Sequence, residues 1–313
     1  MRFHLLIYIV TVSVTLGEKS MAQEHLSLVT TPIFLQKNKT VISQGSGFYY
    51  IHEPNNAKKL YFLVTNYHVL TGYSPQENMT PKGDQISFYL HNDPNNPGEV
   101  LQFSLPLFTD DGVPIWLISQ TYPDADVAII PFSSFPFNIV NNIASVTVTG
   151  ISENWIKEEI KIRPSTTVTL IGYPYGYFDK KNWLPIWKTG SVASEPNIDF
   201  EDKPLFVVDV SAFPGMSGSP VFGIFEGSYE TLNGGRTITN QRIHTFLGIH
   251  ASIQMRSEKK YLEEIPFSSK KGLVISESLE LAHVWKTKII TEIIDQFDAN
   301  KYQKDIVNQL YKK

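Results

Sequence analysis

Three short stretches hold side chains able to do nucleophilic chemistry. In Phe213-Pro214-Gly215-Met216-Ser217-Gly218-Ser219-Pro220-Val221-Phe222 a serine stands between two glycines. Glycine accepts the backbone angles of a sharp turn, so Gly215 can aim its own N–H, with that of Ser217, at one point. Gly218 leaves room for a substrate, and the β-rich residues after Pro220 anchor the turn. In Phe62-Leu63-Val64-Thr65-Asn66-Tyr67-His68 an apolar run ends in a histidine, one of eight in the chain. In Tyr122-Pro123-Asp124-Ala125-Asp126-Val127-Ala128-Ile129-Ile130 a carboxylate abuts a second apolar run; Asp126 adjoins it directly and Asp124 competes. A buried carboxylate needs a partner, and an imidazole N–H would serve. Each stretch alone also fits a blander role: a Gly/Ser turn, a packed histidine, a strand-edge aspartate. Together they supply a hydroxyl nucleophile, a base, a carboxylate to hold the base, and two amides for a developing oxyanion. That set performs acyl transfer.

The elements that must position these groups read as short strands. Ser46–His52, Leu60–Thr65, Gln85–His91, Leu101–Leu107, Ile115–Ser119 and Asp126–Pro131 form one series. Ala144–Thr149, Thr167–Ile171, Ile186–Ala193, Leu205–Ser211, Ser219–Ile224, Thr245–Ala251 and Leu273–Ile275 form a second. They are rich in β-branched and aromatic residues and punctuated by Gly, Pro and Asn clusters, which predicts an all-β barrel or sandwich. From Leu279 to Leu310 the apolar residues Leu279, Leu281, Val284, Trp285, Ile289, Ile290, Ile293 and Ile294 recur at helical spacing. A terminal amphipathic helix docked on the barrels is expected there, with a break near Asp298-Ala299-Asn300.

With the order His, Asp, Ser in view, Thr65-Asn66-Tyr67-His68-Val69, Asp126-Val127-Ala128-Ile129-Ile130 and Gly215-Met216-Ser217-Gly218-Ser219-Pro220 resemble the signature blocks of trypsin-like serine peptidases. The bacterial branch of V8-like glutamyl endopeptidases and HtrA proteases is the nearest match. Gly45-Ser46-Gly47-Phe48, Ile171-Gly172-Tyr173-Pro174 and Leu247-Gly248-Ile249-His250 fit it as well. The resemblance covers roughly residues 28–275. It implies two packed six-stranded antiparallel β-barrels of the chymotrypsin-like type. The first, 23–150, would carry His68 and Asp126; the second, 151–277, Ser217; a helical tail would follow over 278–313. It further implies an oxyanion hole from the Gly215 and Ser217 amides, a protein or peptide substrate, and no metal or cofactor. Ser211, six residues before the serine, would sit at the base of the primary specificity pocket, with Asp209 deeper on the same face. A glutamyl endopeptidase pattern would make His250 the reader of an acidic side chain, although Ala212 stands where that pattern has threonine. The other reading has His250 merely lining a neutral pocket.

Composition narrows the alternatives. Net charge is −4 and no basic stripe invites nucleic acid. The absence of cysteine excludes disulfides and thiolate chemistry. Arg2, the apolar run Phe3–Leu16 and Ser20-Met21-Ala22 read as a signal peptide cut after Ala22, sending the protein to a periplasm or outside the cell, with no stable membrane insertion afterwards. A membrane anchor is the alternative, for which the run is short. A catalytically silent trypsin-fold binding module is the main rival function. A protease-chaperone would need a PDZ module after the barrels. A lipase-like hydrolase would place its serine first in chain order.

Overall fold

The computed structural model describes residues 24–54, 59–77, 79–93, 95–135, 148–261 and 272–311. The expected signal peptide and most of the Ala144–Thr149 strand lie outside them.

The chain enters through a helical turn, α1 (His25–Leu28), then lays down β1 (Thr30–Lys37), β2 (Thr40–His52) and β3 (Leu60–Thr65). A one-turn helix, α2 (Tyr67–Thr71), follows, then β4 (Gln85–Asp93), β5 (Asn96–Pro106) and β6 (Ala128–Ile130). These strands form an antiparallel sheet in the order β5-β4-β1-β2-β3-β6. Its alternating apolar side chains, among them Ile33, Leu35, Leu63, Phe88 and Ile130, make one core. β7 (Thr167–Gly172), β8 (Ile186–Val192), β9 (Leu205–Asp209), β10 (Pro220–Phe225), β13 (Ile243–Tyr261) and β14 (Gly272–Lys286) form the second sheet, which closes into a barrel. Its core includes Val168, Val208, Val221 and Val284. Between β10 and β13 a small ribbon pairs β11 (Ser228–Glu230) with β12 (Arg236–Ile238). A third cluster joins the two halves: Phe48 and Phe62 from the first meet Phe222, Phe246 and Ile249 from the second. The all-β architecture of two packed six-stranded antiparallel sheets, the second closed into a barrel, agrees with the fold class expected.

Three details differ from expectation. β1, absent from the sequence reading, is a full strand paired with both β2 and β4. Ile115–Ser119 forms no strand, only a bridge from Leu117 to Ile129. The tail begins later than position 278, because β14 runs to Lys286 and pairs with β13 and β9. Ala282 and Val284 face the barrel interior while Trp285 joins the cluster between the halves. Val284 on one face and Trp285 on the other are both buried, which blurs the period-2 alternation and lets the apolar spacing mimic a helix. The helix proper, α3, is Thr287–Asp295. Ile289, Ile290, Ile293 and Ile294 are buried between the halves. After the expected break, α4 (Ala299–Tyr302) is N-capped by Asp298, which accepts from the N–H groups of Asn300 and Lys301. Tyr302, Ile306 and Val307 then dock on the first core.

Candidate active site

β3 and β6 run antiparallel, with Thr65 opposite Ala128. The residues just after β3 and just before β6 therefore meet at one end of the pair, and these are His68 and Asp126. The His68 Nδ1 lies 2.5 Å from Asp126 Oδ2. The His68 backbone N–H donates to Asp126 Oδ1 at 3.0 Å. Asn66 Nδ2 donates to the Asp126 carbonyl at 2.5 Å. Both carboxylate oxygens are thus engaged by one residue, which fixes the imidazole plane and leaves Nε2 as the remaining ring nitrogen. Asp124, the competitor, is exposed, and its carbonyl accepts from Gln76.

Ser217 sits in the turn between β9 and β10. Gly215 and Gly218 have φ of +95° and +89°, a region costly to any residue with a Cβ. Three successive peptides of this turn are pinned. The Pro214 carbonyl accepts from the Tyr175 N–H at 2.7 Å, the Gly215 carbonyl from Ser46 Oγ at 2.7 Å, and the Met216 carbonyl from the Ser219 N–H at 3.0 Å. In a trans peptide C=O and N–H point in opposite directions. Fixing the Pro214 and Met216 carbonyls therefore fixes the opposing N–H groups of Gly215 and Ser217. Among the described residues neither of these two amides donates to a protein acceptor. The Ser217 hydroxyl donates to the Ala251 carbonyl at 2.9 Å. His68, Asp126 and Ser217 line one cleft with a volume of about 680 Å³.

The specificity residues divide. Ser211 and Ala212 line this cleft beside Phe213 and Tyr175. Asp209 is exposed at the end of β9 and does not line it. His250 does not line it either. It is only 1% exposed, and its backbone is paired with Gly218 and Ser219 behind the serine turn. Burial, then the neighbouring His68, pushes its imidazole pKa down to about 4, so the ring is neutral across the ordinary pH range. The structure thus places His250 beside the serine turn and outside the lining of the cleft.

Sequence reasoning missed several lining residues: Tyr73, Glu77, Tyr175 and Glu280. Tyr175 follows the Ile171-Gly172-Tyr173-Pro174 block, and its φ of +48° is the one local signal of a special role. Glu280 lies in the stretch read as helix, which hid it.

The model of the trypsin-like peptidase domain matches residues 45–228, more than half of the chain. A search of curated proteins returned no match. Among solved structures, the serine endoprotease from Yersinia pestis is similar with a TM-score of 0.43 and 13% identity, over 89% of this chain and 64% of that one. This chain thus spans just under two thirds of that protein. The inactive form of the Rv3671c protease is similar with a TM-score of 0.40 and 14% identity, over 87% of this chain and 89% of that one. With the family model covering the serine turn, the histidine helix and the aspartate between them, the chain belongs to the trypsin-like peptidase family.

Proposed function

We propose that the chain is a serine endopeptidase acting on protein or peptide substrates, with His68, Asp126 and Ser217 as its catalytic residues. The observation that carries this reading is the doubly held His68–Asp126 pair in the same cleft as Ser217. On substrate binding the Ser217 hydroxyl leaves the Ala251 carbonyl and turns to His68 Nε2. His68 takes its proton as the oxygen attacks the carbonyl carbon. Asp126 holds the ring through Nδ1 and stabilises the imidazolium that forms. The N–H groups of Gly215 and Ser217 receive the oxyanion. His68 then donates its proton to the departing amine, and water repeats the sequence on the acyl-enzyme. The test is labelling of Ser217 by a fluorophosphonate together with cleavage of a peptide library. Ser217→Ala should lose both. An unlabelled parent protein would sink the reading and favour a silent binding module.

For the residue before the scissile bond we infer a neutral side chain rather than an acidic one. The glutamyl hypothesis depends on His250, which is buried and neutral. The cleft carries Glu77 and Glu280 and, among the described residues, no Lys or Arg in its lining. A carboxylate entering it meets like charge. The library profile decides: cleavage concentrated after Glu or Asp overturns this inference. Export rests on Arg2, the Phe3–Leu16 run and Ser20-Met21-Ala22. N-terminal sequencing of the mature protein, expected to begin at Gln23, tests it.

A further inference from the structure

Of the bonds that hold the serine turn, one comes from a side chain of the other half of the molecule. We propose that Ser46 is a positioning residue for the oxyanion hole, acting through the peptide between Gly215 and Met216. The proposal rests on the peptidase reading above.

Ser46 lies on β2 and is fully buried. Its N–H donates to the Ser217 carbonyl at 2.8 Å. Its hydroxyl donates to the Gly215 carbonyl at 2.7 Å and accepts from the Tyr173 N–H at 3.0 Å. Its own carbonyl accepts from Thr65 Oγ1 at 2.7 Å. Ser46 thus holds the turn at both ends, Gly215 and Ser217, from a strand that contributes nothing else to the reacting groups. The hydroxyl also ties the turn to Tyr173, two residues before the Tyr175 N–H that pins the Pro214 carbonyl.

The middle peptide decides where the hole points. Its carbonyl is held by Ser46, and its N–H donates to the Phe213 carbonyl at 3.0 Å. If that peptide rotates, the φ of Met216 and the ψ of Gly215 change together, and the two hole amides no longer converge. Glycine at 215 makes such a rotation easy, since it has no side chain to resist it. Ser46 is the brake. Its loss would also leave the Gly215 carbonyl and the Tyr173 N–H without their partner in a buried site, so relaxation of the turn is favoured. The close fit leaves little slack: a Cβ on Gly218 would lie 1.9 Å from the Ser46 carbonyl oxygen, and one on Gly172 would lie 2.7 Å from its hydroxyl.

The test compares the parent protein with Ser46→Ala and with Thr65→Val. Thr65→Val removes the bond to the Ser46 carbonyl at similar depth but keeps the Ser46 hydroxyl. Two quantities are measured: the rate constant for phosphonylation of Ser217 by diisopropyl fluorophosphate, and kcat and KM on the best-cleaved library peptide. Ser46→Ala should slow phosphonylation and lower kcat by about 10- to 100-fold, approaching the loss of a direct hole donor. KM should stay within about threefold and the pH dependence of kcat/KM should keep its shape, since His68 and Asp126 are untouched. Thr65→Val should lower the melting temperature while phosphonylation stays within about threefold of the parent. Where Ser46→Ala does not fold, Ser46→Gly, which also removes the hydroxyl, replaces it. Phosphonylation of the hydroxyl-free variant at the parent rate overturns the proposal, as does a rise in KM at unchanged kcat. So does equal slowing by Thr65→Val, which would mark general loosening. A parent protein that is not phosphonylated fails the peptidase reading itself, a different result from any of these.

Discussion

Asp126 spends both carboxylate oxygens on His68, one on its backbone and one on its ring. Asp126→Asn should keep the backbone bond but present an amide to the ring, favouring the wrong tautomer. The expected loss in kcat is on the order of 10⁴-fold with the fold intact, read from peptide hydrolysis and circular dichroism. His250 supports a separate prediction about stability. Its folded pKa of about 4 lies below the unfolded value of about 6.5. Above the unfolded value the ring is neutral in both states and contributes no pH dependence. As pH falls below it, the unfolded chain takes up a proton that the folded chain refuses, so stability declines and levels off near pH 4. The decline from this residue is up to about 3 kcal/mol. His25, His91, His244 and His283 are shifted the same way by burial and add to the slope. Urea midpoints at pH 7 and pH 4.5 should therefore differ less in His250→Leu than in the parent; an equal difference would refute this.

At the scale of elements, legibility followed how local the cause was. β3 was readable to the residue because Leu60–Thr65 is apolar and bounded by a polar end. The site residues were readable for the same reason: the glycines around Ser217 and the apolar runs beside His68 and Asp126 are short-range signals. β14 was misread because its burial comes from two neighbouring strands and from the junction between halves, which only the tertiary structure supplies. The burial of His250 was hidden for a related reason. Its position in the chain was visible, but the direction of its side chain depends on the register of β13, where the pairing with β10 shifts between Val221 and Phe222. β1 escaped notice because Thr30-Thr31-Pro32 reads as loop, yet Thr31 and Pro32 are fully or nearly buried there. The serine turn itself is tightly specified. In Gly218→Ala the new methyl would meet backbone of β2, which cannot swing aside, in a conformation already strained for alanine. Fluorophosphonate labelling should fall at least 100-fold and the melting temperature should drop; parent-like labelling would show that the turn is looser than described.

Across the whole molecule, the last helices hold the halves together. α3 buries four isoleucines between them, and Glu292 is hydrogen-bonded to Ser119 and Thr121 of the first half. Tyr302 donates to the Ile115 carbonyl at 2.5 Å, and Ile306 and Val307 complete the first core. Ile290→Ala should cost about 2–5 kcal/mol in denaturant unfolding. A chain ended after Asp295 keeps α3 but loses the cover of the first core. Its thermal unfolding should split into two transitions, with the first half melting earlier; a single transition at the parent temperature would argue against this.

That strap also sets a timetable. A ribosome makes the strands of the first half early, but the side chains that seal their core are translated only after both sheets are complete. The first half is therefore expected to wait, partly open, for residues some 170 positions downstream of β6. Nascent chains arrested with Lys286 already clear of the exit tunnel should be cut by thermolysin within residues 30–130, while chains arrested with Leu310 clear should resist. Equal resistance at both lengths would show that the first half ripens on its own. Because His68 and Asp126 belong to the half that waits, the hydrolytic machinery would be assembled last, a built-in delay against self-digestion during synthesis.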